Sequence, residues 1–175
     1  MITNSKEINY AFIDSQNINL GIKSKNWDLD WGKFRLLLRN KYDIKKAFLF
    51  IGYIERNTRL YEYLQSVGYI LIFKNVLEIH KDKRVSYKGN VDAELVLHTM
   101  IQLRKFNQAI IASGDGDFFC LIEYLEKLNK LCKIITPNNR YSSLIRKYSG
   151  YIVDMSKLKN KLERKKERHS RGKQG

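Results

Sequence analysis

Ala109-Ile110-Ile111-Ala112-Ser113-Gly114-Asp115-Gly116-Asp117-Phe118 is the stretch on which the fold turns. Its first four residues form a short apolar run that suits a buried strand, and Ser113 to Gly116 are turn formers. A helix is predicted to follow over about 117–129. Strand, glycine-punctuated turn and helix are the parts of a βαβ unit, and the acidic residues fall in the turn between them.

The same alternation extends outward in both directions. Downstream come a strand over 132–136, a short helix near 141–147 and a weak strand over 151–153. Upstream, Asn90 offers an N-cap to a helix over about 91–104, preceded by a basic hairpin-like stretch over 77–88. A strand over 69–73 follows a helix over 57–67, in which Leu60, Tyr61 and Leu64 keep helical spacing and Gly68 marks the end. Before these lie a nearly continuous apolar strand over 47–54 and a helix over 29–42 with Trp31, Phe34, Leu37 and Leu38 on one face. The first strand, over 8–13, runs into the turn formers Asp14-Ser15-Gln16-Asn17 and then a polar loop as far as Asp28. The pattern predicts a three-layer α/β domain with a central, mostly parallel sheet of about five or six strands.

The chain has 175 residues, one domain's worth, and 43% of them are hydrophobic, enough for a core and too many for wholesale disorder. From Ser156 onward nine Lys or Arg face only Glu163 and Glu167, and Leu158 and Leu162 are the only large apolar residues. A folded domain over 1–155 and a basic tail over 156–175 are therefore expected. The formal net charge of +15 suits a polyanionic partner, RNA or DNA, with an anionic membrane surface as the competing expectation. No apolar run is long enough to span a bilayer and the opening residues lack a signal-peptide pattern, so a cytoplasmic location is expected. Cys120 and Cys132 lie in apolar stretches without a CxxC or a histidine pair and read as buried thiols, not zinc ligands.

In an open α/β sheet the informative residues follow the strands. Asp14 follows the first strand, Asp115 and Asp117 follow the strand over 109–112, and Asp92 lies in the first turn of the helix leading into it. If the chain winds both ways from a central first strand, those strand ends meet and four carboxylates share one pocket. Like charges so close raise one another's pKa values, a conflict that Mg²⁺ or Mn²⁺, which prefer carboxylate oxygen, removes. One or two such ions would orient a phosphodiester, activate a water and stabilise the leaving oxygen. Each residue also has an ordinary use: Asp14 as a turn cap, Asn17 as a loop amide, Asp92 against a helix dipole, Asp115 and Asp117 in a turn and a helix N-terminus. Their common position at strand ends is what favours a shared site. An EF-hand loop starting at Asp115 is excluded because Cys120 stands where its glycine is needed, and no Walker or GxGxxG pattern is present.

At these residues the sequence resembles the NYN domain proteins of the PIN-like nuclease superfamily, including the LabA-like group. The matching blocks, in order, are Ala11-Phe12-Ile13-Asp14-Ser15-Gln16-Asn17, Tyr87-Lys88-Gly89-Asn90-Val91-Asp92-Ala93-Glu94-Leu95 and Ile111-Ala112-Ser113-Gly114-Asp115-Gly116-Asp117-Phe118. The resemblance implies a Rossmann-like PIN-type fold and a Mg²⁺- or Mn²⁺-dependent site that cleaves RNA. By motif it assigns catalytic positions to Asp14, Asn17, Asp92, Asp115 and Asp117, metal ligation to the four aspartates, and an outer ligand position to Glu94. Ser15 stands where a glycine is frequent, and His98 where related sequences often carry a further aspartate, which implies a weaker hold on a second ion.

The run Lys81, Lys83, Arg84, Tyr87 and Lys88 is a candidate nucleic-acid contact, cations for a phosphate backbone and an aromatic ring for a base. Its plain alternative is a solvated hairpin. A metal-dependent ribonuclease acting on single-stranded RNA is the leading expectation. A non-catalytic RNA-binding or regulatory protein on the same fold comes second, and a phosphohydrolase of small nucleotides third. The number of Phe, Tyr and Ile residues leaves room for a homodimer face.

Overall fold

The computed structural model describes residues 8–165 other than 76, 82, 83, 89 and 90, with side chains described outside 76–90. Its strands are β1 (Asn9–Asp14), β2 (Ile44–Tyr53), β3 (Tyr69–Asn75), β4 (Leu77–Lys81), β5 (Arg84–Lys88), β6 (Ala109–Ala112), β7 (Leu131–Thr136) and β8 (Ile152–Asp154). The helices are α1 (Ser15–Lys23), α2 (Trp31–Tyr42), α3 (Thr58–Ser66), α4 (Asp92–Gln102), α5 (Phe119–Lys127) and the single turn α6 (Lys159–Leu162). Six strands form one sheet in the order β3-β2-β1-β6-β7-β8, and every neighbouring pair in it is parallel. With the antiparallel hairpin β4–β5 set aside, this is the doubly wound Rossmann order expected from the alternation of elements.

The pleat of β1 divides the interior in two. Ala11 and Ile13 face Ile18 and Ile22 of α1 and Phe34 and Leu38 of α2, whereas Tyr10 and Phe12 face Leu95 of α4 and Leu121, Ile122 and Leu125 of α5. Every residue of β1 is buried, which is why its sequence is almost continuously apolar. On the second face Phe12 stacks on Phe48 at 5.3 Å between ring centroids and meets Phe106 edge-on. Burial of each such ring contributes about 2 to 3 kcal/mol. Gly68, at φ +98°, ends the α3 segment as predicted, in a backbone conformation that a Cβ would strain.

Three expectations change. The polar segment after Asp14 is not a loop but contains α1. Asp14 caps it by accepting a hydrogen bond from the Asn17 N–H at 3.0 Å, and Ile18 and Ile22, one helical turn apart, bury its inner side. Gly21 lets α1 lie against the loop after β7: a Cβ there would sit 2.3 Å from Pro137 Cγ, and Asn138 Nδ2 donates to the Gly21 carbonyl at 2.6 Å. Second, Cys120 is exposed and Cys132 half-buried, because helical spacing turns Cys120 outward while Leu121 and Ile122 face the core.

Third, packing continues past the expected boundary at 155. Leu162 is buried in the α1–α2 core and Leu158 packs against it, while Asp30 N–H donates to the Leu162 carbonyl and Arg164 N–H to the Asp28 carbonyl. Two leucines cannot build a core, but they suffice to dock one turn on a core already present. Residues from 166 onward lie outside the described residues. No helix among the described residues is long and apolar enough to cross a membrane.

Leu162→Ala is accordingly expected to lower unfolding stability by about 2 to 4 kcal/mol, as a buried leucine does. The midpoint of a urea titration reads this; an unchanged midpoint would mean that the segment is not packed.

Candidate metal centre

Ile13 of β1 pairs with Ala112 of β6, so Asp14 and Ser113 leave the sheet side by side. From this point the chain winds outward to β2 and β3 on one side and, later, to β7 and β8 on the other. The carboxyl ends of strands at such a reversal leave an open crevice. Into it α4, packed against β1, brings Asp92 at its first turn. Asp115 caps the 3-10 turn Gly116–Phe118 by accepting from the Asp117 N–H at 3.0 Å. Asp92, Asp115 and Asp117 each present an oxygen such that all three lie within 4.8 Å of one another. Asp92 and Asp115 are half-buried and Asp117 is exposed.

Asp14 stands behind this trio. Its residue is 5% exposed, its Oδ1 accepts from the Asn17 N–H, and the Ser113 hydroxyl approaches its Oδ2 at 3.5 Å. Burial, reinforced by the charges of Asp92 and Asp115, pushes its pKa up from 3.8 to about 6 against the pull of the Asn17 and Gln16 N–H groups. Asn17 works as a tie: its side-chain carbonyl accepts from the Gly114 N–H at 2.9 Å, joining α1 to the turn after β6.

Glu94 is not in the cluster. It pairs with Lys74 Nζ at 3.0 Å, which links the end of β3 to the start of α4. Partial desolvation works to raise its pKa, but the hydrogen bond and charge of Lys74 outweigh it and hold the carboxyl below its ordinary value. His98 lies one helical turn beyond Glu94, with its ring edge-on to Phe50 at 5.7 Å. Ser113, absent from the residues singled out in the sequence, is buried and central: it approaches Asp14 and accepts from the Asp115 N–H at 3.2 Å. Its signal was its place between the strand and Gly114. Of the expected nucleic-acid contacts, Lys83 lies outside the described residues, as do the side chains of Lys81, Arg84, Tyr87 and Lys88; Asn90, the expected cap of α4, is also outside them.

The donor set is all carboxylate oxygen, and burial together with the charges of Asp92 and Asp115 raises the pKa of Asp14 beside it. Both features fit a hard divalent cation, with Asp92, Asp115 and Asp117 as the residues placed to hold it.

Asp14 also sets a pH dependence. Below pH 3.8 the carboxyl is protonated folded or unfolded; between there and about 6 only the folded chain retains the proton, so this group's contribution to stability falls as pH rises. Asp14→Asn keeps the helix cap and removes the charge. The variant is expected to be more stable than wild type by about 3 kcal/mol at pH 8 without metal, the gain vanishing near pH 4. Denaturant titrations in a chelator at the two pH values measure it.

Comparison with known proteins agrees with the fold. The sequence is 21% identical over 160 residues to the low amplitude and bright protein LabA of Synechococcus elongatus, an alignment that spans 87% of this chain and 86% of that one. The crystal structure of a protein of unknown function from Vibrio parahaemolyticus has the same fold, with a TM-score of 0.68, 22% identity, and coverage of 83% of this chain and 91% of the other. The family profile described as NYN domain matches residues 10–159, from β1 into α6, and the chain belongs to this nuclease-like NYN domain family.

Proposed function

We propose that the protein is a ribonuclease that hydrolyses phosphodiester bonds of single-stranded RNA and depends on Mg²⁺ or Mn²⁺. The observation that carries this is the convergence of Asp92, Asp115 and Asp117 within 4.8 Å at the point where the sheet reverses, with Asp14 buried behind them. When bound there, such an ion orients a phosphodiester, activates a water and stabilises a leaving oxygen. The residues of the chain do the rest. Asp92, Asp115 and Asp117 hold the cation, Ser113 and Asn17 brace the turn that carries Asp115, and Asp14 supplies the negative charge that a nearby cation stabilises. The excess of Lys and Arg concentrates a polyanion around this acidic crevice, and the run Lys81, Lys83, Arg84, Tyr87 and Lys88, which leads into α4, is the segment of sequence suited to track its backbone.

A second interpretation, an RNA-binding protein without activity on the same fold, draws on Glu94 and His98. Lys74 engages the first and Phe50 packs against the second, so neither position adds a ligand to the trio.

The two separate on one substitution. Asp115→Asn keeps the side chain's size and removes one ligand charge. Wild-type protein is expected to cleave labelled single-stranded RNA with Mn²⁺ or Mg²⁺ and not in a chelator, and the variant to lose roughly 100-fold or more in rate while binding RNA as before. Binding without cleavage by wild type under either metal, or cleavage indifferent to Asp115, would replace the nuclease by the binding protein.

A further inference from the structure

A groove of about 740 Å³ opens next to the acidic crevice, on the α1–α3 side of the sheet. Ser15 and Gln16, which directly follow Asp14, form its near wall, so it continues from the point where β1 ends. Leu49 and Ile51 of β2, and Ile54 just after it, line the floor, and Trp31 and Tyr63 stand across from α1. Trp31 is half-buried and held edge-on by Tyr69; Tyr63 is exposed, and its hydroxyl accepts from the Gly32 N–H at 3.2 Å. Both rings are thus fixed in place, with Tyr63 open to solvent.

The polar lining has two kinds of group. Asn19 and Asn57 are half-buried, and their side-chain amides have no hydrogen-bond partner among the described residues. Lys23, Arg59 and Arg164 are exposed at the rim and make no ion pair among the described residues. Of the two acidic residues, Asp30 is already used, capping α2 through the Lys33 N–H and lying 3.7 Å from Lys33 Nζ. Fixed aromatic rings, unsatisfied amides that can donate and accept, and unpaired cations around one groove match the parts of a nucleotide: a base, its polar edge and its phosphate.

We infer that this groove seats the segment of single-stranded RNA adjoining the phosphodiester at the acidic centre, with bases toward Trp31 and Tyr63 and phosphates toward Lys23 and Arg59. This rests on the ribonuclease reading for what happens at the acidic centre, but the groove's occupancy is measured by binding alone. A free mononucleotide offers the same chemical groups with less charge, and a strand, by contrast, spans groove and crevice together. The groove thereby gives the substrate a direction, since Trp31 and Tyr63 grip the strand on one side of the cleavage point.

The test uses the full chain in a chelator, where no metal-dependent cleavage intrudes, and a labelled single-stranded RNA of about 12 nucleotides, long enough to span both places. Lys23→Glu combined with Arg59→Glu is compared with a control of equal charge change at the opposite end of the sheet, Lys45→Glu with Lys46→Glu. The groove pair is expected to weaken binding about tenfold more than the control and to reduce the salt slope by roughly 0.7 for each lost phosphate contact. Trp31 emission is expected to be quenched by saturating RNA and much less by uridine monophosphate, and the response to disappear in Trp31→Phe, which leaves the buried Trp27 in place. Equal losses in the groove and control pairs, or a Trp31 signal that RNA does not move, would overturn the inference. Because neither readout needs turnover, an inactive wild type with an intact groove response would discard the nuclease and keep the groove, and an active one without that response would do the reverse.

Discussion

The pairing of β1 with β6 is the constraint on which the rest depends. These strands are separated by more than half of the chain, yet their residues alternate across the same two cores, and Ile13 beside Ala112 fixes the register. A slip of one residue would exchange the inward faces of a strand whose every side chain is buried, which the packing of Phe12 on Phe48 and Ile13 on the α1 side forbids. Once the register is set, Asp14 and Ser113 must emerge together. The acidic crevice is therefore a consequence of hydrophobic packing, and the aspartates exert little choice over where they meet.

That packing also sustains an unfavourable group. A carboxyl 5% exposed, beside two others, is costly to ionise, and burial with the charges of Asp92 and Asp115 accordingly raises the pKa of Asp14. Nothing in the fold requires a carboxylate there for its own sake, because an asparagine would cap α1 as well. A residue that weakens the apo protein and strengthens attraction for a cation suits the cation site proposed above. The opposite sign of the exterior, +15 overall, is compatible with this because screening over about 10 Å separates a distant lysine from a buried aspartate.

The sheet was legible in the sequence because strands buried on both faces read as apolar runs whatever their neighbours. Strand ends then pointed to Asp14 and to Ser113-Gly114-Asp115-Gly116-Asp117. What the sequence did not disclose depends on contacts with distant elements. The helix α1 has only Ile18 and Ile22 on its inner side, too few to register against Asn17, Asn19 and Gly21; its cap and its contact with the loop around Pro137 complete it. The segment after Ser156 reads as solvated because its charge is counted along the chain, whereas Leu162 is placed by the backbone bonds around Asp28 and Asp30. The groove beside Asp14 brings together residues from α1, the start of α2, β2 and α3, and no local motif announces such a collection.

Glu94 shows where a motif and a helix part company. It lies in the same sequence block as Asp92, two residues on, but two residues of an α-helix turn through about 200°, so the two carboxylates leave opposite sides of the axis. Asp92 turns toward β6 and the trio, and Glu94 meets Lys74 at the end of β3. The ion pair is half-exposed and contributes at most about 1 kcal/mol. Its place matters more than its strength: Lys74 and Glu94 bracket the hairpin β4–β5 and bring the two ends of that twenty-residue excursion together where α4 begins. A carboxylate that block matching assigns to a metal thus fastens the helix that delivers Asp92, and the helical angle between the two residues is what divides those tasks.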